Sequence, residues 1–242
     1  MIYPKFDRGK ILRGDMLNAL RDNPVSAVQL FYQRHGDGII NGFDVATDGN
    51  NISVTPGILK SDGEILFSTE ILNIELTNGK NFVYLNRLRA ENEVGLSIKF
   101  ELEARDRIVD GAFELFRCGK NGVLKNYSSF DDLLNAQHNR IDRRHAAFAI
   151  NGGTSLDPNI FALYAQAVFE RESTVEDKIF AYMCLNESLT RRAIDQYFGA
   201  SGLSNVELID AMKRKLEDMH SSGITFKPSV NHKKIIDQIE VF

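Results

Sequence analysis

The densest run of chemically capable side chains is His138-Asn139-Arg140-Ile141-Asp142-Arg143-Arg144-His145. It holds two of the chain's five histidines and three arginines around one aspartate. A guanidinium offers a planar fork of donors that matches a carboxylate or phosphate, so Arg140, Arg143 and Arg144 are candidates for binding an anion or an acidic partner surface. On a continuous helix His138 and His145 would share a face, which makes them candidate members of the same site. Metal ligands of the HExxH type sit four apart with a third partner, and none accompanies these two, so the run predicts no metal site and no cofactor. A hydrolase built here would need a titratable pair within hydrogen-bonding reach. A solvated lead into the apolar stretch 146–150, or a subunit contact, makes no such demand.

Other polar clusters are plainer. Lys213-Arg214-Lys215 lies on the wet side of an amphipathic segment. Arg191-Arg192 is expected near the end of a helix, where cations suit the dipole. His35-Gly36-Asp37-Gly38 is a turn, and Arg13-Gly14-Asp15 starts a helix and carries no function. There is no GxSxG, no P-loop, no GxGxxG after a strand and no pair of CxxC motifs. Tryptophan is absent, leaving seven Tyr and sixteen Phe to stack on a sugar.

The 242 residues are 43% hydrophobic and 26% charged, an ordinary balance for a globular chain able to bury a core. A net charge of −4 speaks against nucleic acid as a partner. Cys118 and Cys184 are expected to be reduced, buried thiols. The first ten residues, MIYPKFDRGK, contain no apolar signal-peptide core, and no run reaches the roughly 20 apolar residues of a membrane span. The expectation is a protein made in the cytoplasm.

The elements that must position these groups change character along the chain. An arm over 1–13 precedes a short helix from Gly14 to Asp22, with Met16, Leu17 and Leu20 on one face, Asp15 as its cap and Asn23-Pro24 as its stop. The apolar run Val25 to Arg34 is a second short helix or a strand. Strands are then predicted at Ile39–Val45, Ile52–Val54, Ile58–Leu59, Ile65–Phe67, Ile71–Leu76, Phe82–Arg87, Val94–Leu102 and Ala112–Phe116. They are punctuated by turns at 48–51, Pro56-Gly57, Asp62-Gly63, 90–93 and 120–122. Strict alternation over Val94 to Glu103 predicts one buried and one wet face. Helices follow: from Ser128 or Ser129 to about His138; from Asp157-Pro158; a long segment from Thr174 to Gly199; and Asn205 to Met219 behind the capping box Ser204/Glu207. A break is expected at Asn151-Gly152-Gly153, and a last short element over 231–242. Segregated runs of this kind give an α+β class, with an N-terminal, mainly antiparallel β domain over 1–125 and a mainly α-helical region over 126–242.

The run HGDGIINGFDVATDGNNISVTPGILKSDGEILF, together with the upstream FDRGKILRGDMLNAL, resembles the N-terminal region of tail and baseplate proteins of phages and contractile injection systems. The carriers are Gly38, Gly42, Phe43, Val45, Ile52, Val54, Pro56, Gly57, Asp62 and Gly63, and the likeness covers about residues 6 to 76. It implies a non-enzymatic homo-oligomer that attaches through its β unit to other tail or baseplate subunits of a virion, prophage-encoded or tail-like particle. A receptor-binding role toward a host-surface glycan or protein is the alternative.

Overall fold

The computed structural model of the chain describes residues 11, 13–48, 51–76, 78–92, 95–109, 111–119, 123–135, 139–186 and 188–221. His138, the turn at 120–122, the element expected over 231–242 and nearly all of the N-terminal arm lie outside them, as do the tips of the turns at 48–51 and 90–93.

The first half runs α1 (Gly14–Phe31), β1 (Gly38–Gly42), β2 (Val45–Asp48), β3 (Asn51–Val54), β4 (Gly57–Ser61), β5 (Glu64–Ser68), β6 (Leu72–Glu75), β7 (Lys80–Asn92), β8 (Gly95–Arg105) and β9 (Phe113–Gly119). The second runs α2 (Phe130–Leu134), β10 (Phe148–Ile150), β11 (Gly153–Ser155), α3 (Pro158–Phe169), β12 (Arg171–Glu172), α4 (Val175–Leu185), α5 (Arg191–Phe198), α6 (Asn205–Glu217) and β13 (His220–Ser221). Antiparallel sheets come first and helices dominate afterwards, so the class is α+β.

Three sheets carry the β region, in the orders β11-β10-β1-β4-β5, β2-β3-β6 and β8-β7-β9. β12 and β13 form a separate two-stranded pair. Among the described strands the pairings are antiparallel except one: β10 lies parallel to β1, with Ile39 opposite Phe148. One core cluster gathers Ile39, Phe43, Val54, Leu85, Leu115 and Phe116 with Ile141 and Phe148. A second gathers Phe130, Phe161, Tyr164, Phe180, Ile194, Leu208 and Met212. Each consists of side chains brought from several elements, and burial of such apolar surface is the main term holding each together.

Ile39 to Val45 is not one strand. The chain leaves one sheet after Gly42 and enters another at Val45, because β1 pairs with β4 whereas β2 pairs with β3. Phe43 makes the crossing at φ 53°, a conformation uncommon for a bulky residue. Its ring is fully buried, edge-on to Phe100 at 5.9 Å between centroids. That ring also lies where a side chain at Gly57 would go, so glycine is required there. The Asp62-Gly63 turn joins β4 to β5 with both residues at positive φ (53° and 78°), the geometry that matches hairpin twist.

The helix expected over Gly14 to Asp22 instead runs 18 residues, to Phe31, straight through Pro24. Proline deletes one hydrogen bond and usually stops a helix. Leu20, whose carbonyl would have taken that bond, is largely exposed, so water can serve it. Asp15 does not cap: Arg13 is the N-cap residue and makes no side-chain bond to the helix, while Asp15 Oδ1 accepts from the adjacent Met16 N–H. The far end of α1 is held from outside. Buried Lys60 on β4 donates to the carbonyls of Tyr32, Gln33 and His35 at 3.1, 3.1 and 2.6 Å. An ammonium has three donors, and all three are used on carbonyls at the negative end of a helix.

In the second half Ser129 caps α2, which Asn135 closes well short of position 138. Asp157 caps α3 with Pro158 in its first turn, and Ser204 and Glu207 cap each other at α6. The segment from Thr174 to Gly199 is two helices, because Thr190 caps a fresh start at Arg191. Arg191 and Arg192 therefore stand at a helix beginning, the end the dipole disfavours for cations. Arg191 is compensated by Asp195 at 2.9 Å and by the carbonyls of Thr154 and Leu203, so one side chain ties β11, α5 and the loop before α6. Lys215 is not simply wet: it lies 3.6 Å from Asp177 and over the Tyr197 ring.

Candidate functional site

The arginine-rich run is not helical. Its backbone is stitched in extended form to two neighbours: Arg117 and Asp142 exchange both main-chain hydrogen bonds at 2.8 Å, and Lys125 bonds to Asn139 and Ile141 on either side of Arg140. Extended backbone alternates its side chains between faces. Ile141 and Arg143 therefore share one face, where both are buried, while Arg140 and Asp142 fall on the other, partly buried; Arg144 and His145 lie in the turn that follows, closed by the Ala146 N–H to the Arg143 carbonyl.

That arrangement separates the three arginines. Arg140 pairs with Asp132 at 3.0 Å, and Arg144 grips Asp142 with two hydrogen bonds of 2.8 and 2.7 Å. Burial would raise the Asp142 carboxyl, but the Arg144 guanidinium and backbone N–H outweigh it and hold the group below its ordinary value. His145 is half-buried. Burial first, and the nearby Arg117 second, push its imidazole below the usual 6.5, which favours the neutral ring. Neither it nor any other described residue belongs to a cluster able to hold a metal ion.

Arg143 stands apart. It is 9% exposed and lies over the Phe148 ring at 4.9 Å. Its Nε comes within 3.0 Å of Asp157 Oδ2, yet the N–H is out of line, and both Nε and Nη2 are buried without a hydrogen-bond partner. Nη1 reaches toward Asp44, but at 3.5 Å the two charges attract without bonding. Asp157 itself is occupied elsewhere: its Oδ1 accepts from the Asn159 N–H and side-chain amide at the start of α3. Asp44 is pinned only by its backbone, which exchanges bonds with Thr55, and its carboxylate is 67% exposed.

These groups line a cleft of about 300 Å³. One wall is α3, presenting Asn159, Leu163 and Gln166 from one face; the other is Val45 with Ile141, and Tyr127 closes one side. The cleft opens along the seam between the two core clusters, since Ile141 belongs to the first and Ile160 to the second. Tyr127 is the only aromatic residue among those lining it, so it lacks the opposed rings of a sugar platform. Its described lining residues include no serine, threonine, cysteine, lysine or histidine. At its floor the Arg143 guanidinium, with Nε and Nη2 unbonded, stands beside the exposed Asp44 carboxylate.

Of the candidates Arg140, Arg143, Arg144 and His145, Arg143 is the one that lines the cleft. Asp44, Tyr127 and Leu163 carry no motif. Asp157 is legible only as a helix cap, and its second use as a partner of Arg143 depends on tertiary packing.

No protein-family model matches the chain, and no curated protein matches it. Among solved structures it is similar to a chain of the type VI secretion system TssK-TssF-TssG baseplate subcomplex, with 10% identity and a TM-score of 0.44 over 90% of this chain and all of that one. It is also similar to TssK in a crystal structure, with 12% identity and a TM-score of 0.30, covering 89% of this chain and about half (55%) of that one. These are loose likenesses, and no function is taken from them.

Proposed function

We propose that the chain is a non-enzymatic structural subunit of a contractile-injection or phage-tail baseplate, and that it assembles through its N-terminal region with other copies of itself. The observation that carries this reading is the outer face of α1. Leu17, Leu20 and Phe31 lie on one stripe of the helix, together with Pro24, and are 51%, 47% and 76% exposed. Ala19 is the only buried residue of the helix, and α1 rests on β5. A contiguous apolar stripe left open on a monomer marks an interaction surface. The stripe is also self-matching. About Pro24, an antiparallel second copy would set Leu17 against Phe31 and Leu20 against Val28, with the two helix dipoles opposed. The glycine-punctuated pattern over residues 6 to 76, with its likeness to tail and baseplate proteins, supplies the class of particle.

The test is the molar mass of the full chain by light scattering at about 100 µM, a concentration at which mass action reveals weak self-association. An oligomer is expected, with the triple variant Leu17→Ser/Leu20→Ser/Phe31→Ser reduced to monomer at an unchanged unfolding midpoint. A monodisperse wild-type monomer would overturn the reading.

A further inference from the structure

We propose that the cleft floored by Arg143 is a recognition site for one acidic side chain, Glu or Asp between apolar neighbours, on an extended segment of a partner protein. Three features converge on this. The Arg143 guanidinium is nine-tenths buried and paired with Asp157 at 3.0 Å, yet its Nε and Nη2 make no hydrogen bond, so its donors are incompletely used and can gain from an added acceptor. Nη1 faces the exposed Asp44 carboxylate at 3.5 Å, too far for a hydrogen bond, so it is the donor that an entering carboxylate can take. The α3 face supplies apolar contact through Ile160 and Leu163, with the Gln166 amide beside them for a peptide group.

The resident charges select among anions. Any anion must displace Asp44, which leaves Arg143 balanced by the buried Asp157; a singly charged carboxylate then restores the original charge, whereas a phosphate dianion adds a second uncompensated one. The first turn of α3 offers no competing anion site, because Pro158 has no N–H and the N–H groups of Asn159 and Ile160 are already bonded to Asp157. Asp44 is thus an internal competitor. Its exposed carboxylate swings into water when the ligand enters, and its removal strengthens binding.

The experiment titrates the full chain, observed by heteronuclear NMR, with acetyl-Leu-Glu-Leu-amide, its Gln counterpart and inorganic phosphate. The Glu peptide is expected to bind at least about tenfold more tightly than the Gln peptide, the difference one charge-assisted pair makes. Shifts should centre on residues 160–166 and on the Arg143 side chain. Asp44→Asn, a change at an exposed position, should tighten the Glu peptide by about three- to tenfold and leave the Gln peptide alone. Ala162→Trp, which fills the cleft from the helix surface, should abolish binding at an unchanged unfolding midpoint. Equal affinity for the two peptides, no binding of the Glu peptide up to about 10 mM, displacement by phosphate at similar concentration, or weaker binding in Asp44→Asn would each overturn the proposal.

Discussion

α1 and α6 have the same kind of sequence and opposite fates. Both carry apolar residues at helical spacing. In α6 the stripe Leu208, Ile209, Met212 and Leu216 is exposed to 5% or less, and the helix begins with a reciprocal cap between Ser204 and Glu207. In α1 the stripe faces outward, no side chain caps the start, and a proline sits in the middle. α6 is a helix by local rules and by packing. α1 persists because its end is clamped by Lys60 and its inner face touches β5. Periodicity tells which side chains share a face; whether this chain or another covers that face is decided elsewhere.

The largest effect should come from cutting the two stripes. Leu208→Ala removes a fully buried side chain and should destabilise the fold by about 2–5 kcal/mol, whereas Leu17→Ala should stay within about 0.5 kcal/mol in the monomer. Denaturant titrations of both at low protein concentration check this, and a large loss in Leu17→Ala would show that α1 is packed after all. Next is the clamp. Lys60→Met leaves three carbonyls without their donor and should cost about 1–3 kcal/mol. Amide exchange should accelerate through α1 while α6 stays protected; uniform acceleration would mean that Lys60 holds the whole sheet and not the helix end.

The smallest test concerns the caps. Ser204→Ala should cost about 0.5–2 kcal/mol, and Asp15→Ala close to nothing. Acid should mimic the first change. Hydrogen bonds from the Ser204 hydroxyl and backbone N–H hold Glu207 below its ordinary 4.5. A carboxyl depressed in the fold stabilises it above the ordinary value, and that contribution fades as pH falls from 4.5 through the lowered one. Exchange at the start of α6 should therefore rise below about pH 4.5 with no matching change at the start of α1, and Ser204→Ala should flatten the response.

The sequence was most legible where a local rule and the tertiary fold agree. Ser204 with Glu207 and Asp157 with Pro158 each announce a helix start that forms. It misled where a tertiary contact overrules a local one. Pro24 should have ended α1 and does not; Phe43 should have continued a strand and instead turns between two sheets. At the site, three arginines read as one cluster part company: Arg143 is buried over Phe148, while Arg140 and Arg144, partly buried, are taken by Asp132 and Asp142. A count of residue types could not reveal that, since the backbone that parts them is held by the pairing of Asp142 with Arg117.

The parallel pairing of β1 with β10, Ile39 beside Phe148, also sets a timetable for synthesis. About 110 residues separate the two, so at about 5–20 residues per second a ribosome needs on the order of 5–20 seconds to deliver the second strand after the first. During that interval β1 can zip to β4 on one side while its other border offers free amides and carbonyls to whatever extended chain is nearby. Nascent chains released short of β10 would keep that border permanently, and are expected to be the species that aggregate.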